Sequence, residues 1–101
     1  MMFLPKLYTY IKKKRGAVLL ESRVAVLSII VENTEKINEL NELLHRYGEY
    51  IIGRMGIPYR EKAINIICVA VDAPQDKINS LTGSLGKIDG ISAKAAYSKQ
   101  V

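Results

Sequence analysis

Residues 23–31, Arg23-Val24-Ala25-Val26-Leu27-Ser28-Ile29-Ile30-Val31, run straight into Glu32-Asn33-Thr34-Glu35. The first stretch is dense in β-branched residues, whose stiff side chains pack well on a pleated surface, and predicts a strand. Asn33 or Thr34 then supplies a side-chain oxygen for the unsatisfied N–H groups of a first helical turn. Beyond that cap Ile37, Leu40, Leu43, Leu44 and Tyr47 recur at helical spacing, while Glu35, Glu39, Glu42 and Arg46 fall largely off the stripe. The spacing predicts an amphipathic helix over about 34–47, with Gly48 as its stop.

Downstream the same grammar repeats. Tyr50 to Met55 predicts a second strand, and Gly56-Ile57-Pro58-Tyr59-Arg60-Glu61 a hairpin-like connection, because Pro58 fixes φ and removes a donor. Residues 63–71, Ala-Ile-Asn-Ile-Ile-Cys-Val-Ala-Val, predict a third strand. Asp72 and Pro74 signal a second helix with Ile78, Leu81 and Leu85 on its buried side; Gly83 weakens it and Gly86 ends it. Ile91 to Tyr97 predicts the last strand. The order βαββαβ on 101 residues implies an α+β, ferredoxin-like domain: a four-stranded antiparallel sheet with two helices on one face. The expected domain spans 22–99, with 1–21 as an N-terminal extension.

Strand alternation carries an expectation about assembly. One face of the first strand presents Val24, Val26, Ser28 and Ile30, the other Ala25, Leu27, Ile29 and Val31. The third strand offers Ile64, Ile66, Cys68 and Ala70 against Ala63, Asn65, Ile67, Val69 and Val71. Both faces of both strands are apolar, whereas a sheet with one solvated face alternates apolar with polar. Two helices cover one face. A second copy of the chain is the simplest cover for the other, so a homo-oligomer, dimer or tetramer, is expected; the alternative cover is residues 1–20 folded back over the sheet.

Composition narrows the function. The net charge is +5, but five of the fifteen Lys and Arg residues fall in the acid-free segment 1–17, as Lys6, Lys12, Lys13, Lys14 and Arg15. The ten that remain balance the ten acids of residues 18–101. The globular part therefore lacks a basic footprint, and direct nucleic-acid binding is not expected of it. For residues 1–20 three readings stay open: a basic arm for nucleic acid or a membrane surface, a loosely docked tail, or translated ribosome-binding sequence upstream of a later start. The apolar residues there precede the charges, the reverse of a secretory signal. No apolar run reaches membrane-spanning length, and a single cysteine, Cys68, permits no internal disulfide and is expected in the core. Together these point to a cytoplasmic protein with no membrane contact.

Chemistry is sparse. His45 is the one histidine and Cys68 the one cysteine, which falls short of a four-ligand transition-metal site. A thiol among isoleucines and valines stays protonated, and no glycine-rich phosphate loop opens a helix. An enzyme is not expected, and no cofactor is indicated. The stretch that stands out is Gly53-Arg54-Met55-Gly56-Ile57-Pro58-Tyr59-Arg60. Its glycines permit close backbone approach, Arg54 and Arg60 suit carboxylate or phosphate, and Tyr59 adds an amphipathic surface. The candidate site for a small-molecule ligand or protein partner is thus Gly53, Arg54, Met55, Gly56, Tyr59 and Arg60. The bland alternative is a twisted hairpin with glycine bulges and solvated charges. A second set of small residues, Asn79, Thr82, Gly83 and Gly86, is expected to permit close helix packing.

Two motifs carry a resemblance. Tyr50-Ile51-Ile52-Gly53-Arg54-Met55-Gly56-Ile57-Pro58-Tyr59-Arg60, followed by Leu81-Thr82-Gly83-Ser84-Leu85-Gly86-Lys87 and Gly90-Ile91-Ser92-Ala93-Lys94, resembles the iron-only hydrogenase system regulators. That family belongs to an ACT-like group related to the C-terminal domain of nickel-responsive repressors. The similarity spans about residues 22–99. It implies an ACT-like ferredoxin fold, oligomerisation and a regulatory role in anaerobic hydrogen metabolism. The nickel-responsive relatives carry a histidine cluster and an N-terminal ribbon-helix-helix domain. The first is absent here and residues 1–21 are too short for the second, so neither nickel sensing nor operator binding is expected.

Overall fold

The computed structural model describes residues 21–99; the three readings of residues 1–20 lie outside them. Strand β1 (Ser22–Val31) leads through a 3-10 turn at Thr34–Lys36 into helix α1 (Ile37–Arg46). A second 3-10 turn, Gly48–Tyr50, leads to β2 (Ile51–Tyr59), and a third, Arg60–Lys62, to β3 (Ile64–Pro74). Helix α2 (Gln75–Gly86) and β4 (Ile91–Tyr97) complete a βαββαβ order. The four strands form one antiparallel sheet in the order β2-β3-β1-β4. This is the ferredoxin-like α+β architecture.

The helices supply one buried stripe each, and both stripes meet the same side of the sheet. Leu40, Leu43 and Leu44 of α1 and Ile78, Leu81 and Leu85 of α2 join Ala25, Leu27, Ile29, Val31, Ile67, Val69, Val71 and Ala73 in a single core. Each large side chain removed from water here contributes about 1.5–3 kcal/mol before entropy is charged against it. Of the two cap candidates Asn33 is the one used, its side-chain oxygen accepting from the Glu35 N–H at 3.1 Å. What it caps is the 3-10 turn Thr34–Lys36, and α1 itself follows from Lys36 without a side-chain cap.

Three expectations are corrected. First, β2 does not stop at Met55 but runs on through Gly56, Ile57 and Pro58 to Tyr59. Pro58 is tolerated because β2 lies at the sheet edge, where half the backbone groups need no partner strand. The turn is instead Arg60-Glu61-Lys62, closed by Ala63 in the left-handed region at φ 56°, at a cost of roughly 1 kcal/mol. Second, β3 extends to Pro74, so Asp72 belongs to a strand and not to a helix start. Third, Cys68 is half-buried on the face opposite the helices and is not a core residue.

The small residues of α2 also serve differently from expectation. A methyl group added at Gly83 or Gly86 meets nothing within 4 Å, so these glycines permit no close packing. Gly83 is exposed within the helix, where glycine is about 1 kcal/mol less favourable than alanine. Gly83→Ala is therefore expected to raise stability by about 0.5–1 kcal/mol, seen as a melting temperature about 4 °C higher.

Candidate functional site

Among the described residues, alternation along β1 and β3 leaves the second side of the sheet without a helix. Its rows follow from the register. Gly53, Ala70, Val26 and Ala96 make one row, Met55, Cys68, Ser28 and Lys94 the next, and Ile57, Ile66, Ile30 and Ser92 a third. Tyr59 and Ile64 pair at one end of this face, Asp72 and Val24 at the other. All the exposed large hydrophobic residues recorded among the described residues lie here: Val24 and Val26 at 42% exposure, Met55 at 58%, Ile57 at 48% and Tyr59 at 40%. These five residues share the side of the sheet that the alternation of β1 and β3 leaves apolar.

One extra residue decides which β2 side chains join it. Ile51 pairs with Val71, but the next partnered residues are Gly53 and Ala70, so Ile52 forms a bulge. A bulge shifts alternation by one and turns every later side chain over. Beyond it Met55, Ile57 and Tyr59 face the open side, while Arg54, Gly56 and Pro58 face the helix side. Without the bulge the open face would present Arg54 and Pro58 instead.

The six sequence-selected residues are therefore divided. Gly53, Met55 and Tyr59 belong to the helix-free face, Arg54 and Gly56 to the helix side, and Arg60 to the hairpin turn. Arg54 donates to Asn41 Oδ1 of α1 at 3.0 Å and remains exposed. A methyl group added at Gly53 or Gly56 meets nothing within 4 Å, so neither glycine admits a close neighbour from within the protomer. The strand's bulge falls at Ile52 and not at either glycine, and both Arg54 and Arg60 are exposed.

A second polar constellation, missed in the sequence, closes the far end of the sheet on the helix side. Arg23 lies over the Tyr97 ring at 4.5 Å and donates to Gln75 Oε1 at 3.0 Å. Gln75 Nε2 in turn donates to the Tyr97 hydroxyl at 2.6 Å and to Asn79 Oδ1 at 3.0 Å. This network ties β1, β4 and the start of α2 together, as cation–π contacts commonly do. No local motif announces it, because its members come from three separate elements. Between the helices, the Tyr47 hydroxyl and Ser80 Oγ share a hydrogen bond of 2.7 Å.

No group of three or more His, Cys, Asp or Glu side chains placed to hold a metal ion occurs among the described residues, and His45 is exposed on α1. No helix among them is long and apolar enough to cross a membrane.

Comparison with known proteins adds to this geometry. A family model, TM1266-like, described as "Iron-only hydrogenase system regulator, putative", matches residues 23–95. A solved structure, that of the uncharacterized protein TM1266 from Thermotoga maritima, superposes with a TM-score of 0.75 at 36% sequence identity. The match covers 78% of this chain and 100% of that one. No curated protein matches the chain.

Proposed function

The chain belongs to the TM1266-like family of iron-only hydrogenase system regulators, and from that membership we propose a non-enzymatic regulatory module that works by self-association and by binding a ligand or partner. The observation that carries the self-association is the helix-free face, where Val24, Val26, Met55, Ile57 and Tyr59 are all exposed. Covering it with a second copy removes apolar surface from water at about 25 cal/mol per Å². The ACT-like sensor role rests on the same face together with the β2 edge.

The β2 edge is the binding element of this proposal. Arg54 and Arg60 lie six residues apart, about 20 Å along an extended strand, too far to close together on one small anion. That spacing suits an elongated partner, an acidic chain segment lying along β2, with each arginine holding its own carboxylate. Regulation would follow if partner binding and self-association share the Met55–Tyr59 stretch, which lies between the two arginines.

Native mass spectrometry of the full chain purified gently from its natural host tests the reading in one spectrum. An oligomer carrying additional mass is the expected result, and the Arg54→Ala/Arg60→Ala double variant is expected to lose that mass while keeping its oligomeric state. A monomer without added mass overturns the proposal. Retention of the mass by the double variant removes the β2 arginines from it.

A further inference from the structure

Two strand positions put charged side chains on the helix-free face: Asp72 on β3 and Lys94 on β4. Asp72 pairs with Val24 and Lys94 with Ser28, and β1 lies between their strands. Two strand spacings across and four residues along separate them by roughly 16 Å at the backbone, which prevents an ion pair within one protomer. Asp72 Oδ1 is buried and has no hydrogen-bond partner, and Lys94 is exposed. That oxygen is enclosed within the protomer, so a charge arriving across this face meets Asp72 through its Oδ2.

The positions of the two charges are self-complementary. On the register grid the midpoint between Asp72 and Lys94 falls on Val26, in the central strand midway between Val24 and Ser28. A two-fold axis in the interface plane, passing over Val26 and perpendicular to the line joining the charges, exchanges the two positions. It lays each Asp72 over a Lys94 and Val26 over its own copy. We propose that a second copy of the chain occupies this face about that axis, held in register by two reciprocal Asp72–Lys94 ion pairs. The proposal rests on the self-association put forward above and adds what fixes its geometry. Apolar contact alone tolerates many registers, whereas a sparse pair of opposite charges on an apolar face rejects all but one.

The test is sedimentation equilibrium of the full chain as wild type, Asp72→Lys, Lys94→Asp, an equal mixture of the two, and the doubly exchanged variant, with circular dichroism confirming that each is folded. Each single reversal places like charges together twice and is expected to weaken self-association by about 100-fold. The mixture is expected to form a one-to-one heterodimer, since both of its pairs become opposite in sign. The double exchange is expected to recover affinity to within about tenfold of wild type. Single variants that associate like wild type overturn the pairing and leave the self-association standing. Loss in the single variants without recovery in the mixture or the double exchange overturns the pairing as well. A monomeric wild type overturns both readings, and if association then appears on removing residues 1–20, that segment is the occupant of the face.

Discussion

Gly90→Ala is expected to destabilise the protein by roughly 2–4 kcal/mol, a large share of the 5–15 kcal/mol by which a domain of this size is ordinarily stable. Gly90 sits at the turn into β4 with φ +78°, where an L side chain pays about 1–2 kcal/mol. Space is the second charge against the variant. An alanine Cβ would lie 2.5 Å from Asn33 Cβ and 3.0 Å from the Asn33 nitrogen. Neither neighbour yields easily. The Glu32 N–H donates to the Gly90 carbonyl at 2.7 Å, and Asn33 caps the turn that starts α1. The strain thus reaches the entry to one helix and the start of one strand together. Urea unfolding followed by circular dichroism measures it directly; a loss below about 0.5 kcal/mol would show that the close approach of Gly90 to Asn33 is wrong.

Met55→Glu and Arg54→Glu, one residue apart, are expected to behave in opposite ways. Met55 is 58% exposed on the helix-free face, and a carboxylate there would have to be desolvated against apolar side chains on association. The expected loss of self-association is at least about 100-fold, with the fold intact because the side chain is already in solvent in the protomer. Arg54 points to the helix side and holds Asn41. Its replacement removes an exposed hydrogen bond and is expected to change association by less than about threefold. Light scattering over a concentration series separates the two. Equal losses would mean that the bulge at Ile52 does not set the faces as described, and no loss in either would mean that association uses another surface.

The element order was legible because each element carries its own local signal. β-branched runs gave β1 and β3, 3.6-residue spacing gave both helices, and Asn33 marked a helix entry. The two faces of β1 and β3 followed from alternation alone, since nothing interrupts the register of either strand against the other. The extent of β2 was not legible. Pro58 argues against a strand in general, and only the edge position of β2 lifts that objection.

The candidate site divides along the same line. Arg54, Met55, Tyr59 and Arg60 were visible as a cluster in the chain, but strand alternation and the Ile52 bulge send them to different sides. Asp72 and Lys94, 22 residues apart in sequence, share a face only because β1 brings β3 and β4 to its two edges. The Arg23–Gln75–Tyr97 network has the same origin. Sequence by itself determined the order of the elements, the two-helix face and the existence of a second apolar face, because those depend on propensity and periodicity within single segments. The tertiary structure alone decided which side chains of β2 join that face and which charges interrupt it. Those depend on a one-residue register shift and on neighbours distant in the chain, which no local pattern encodes.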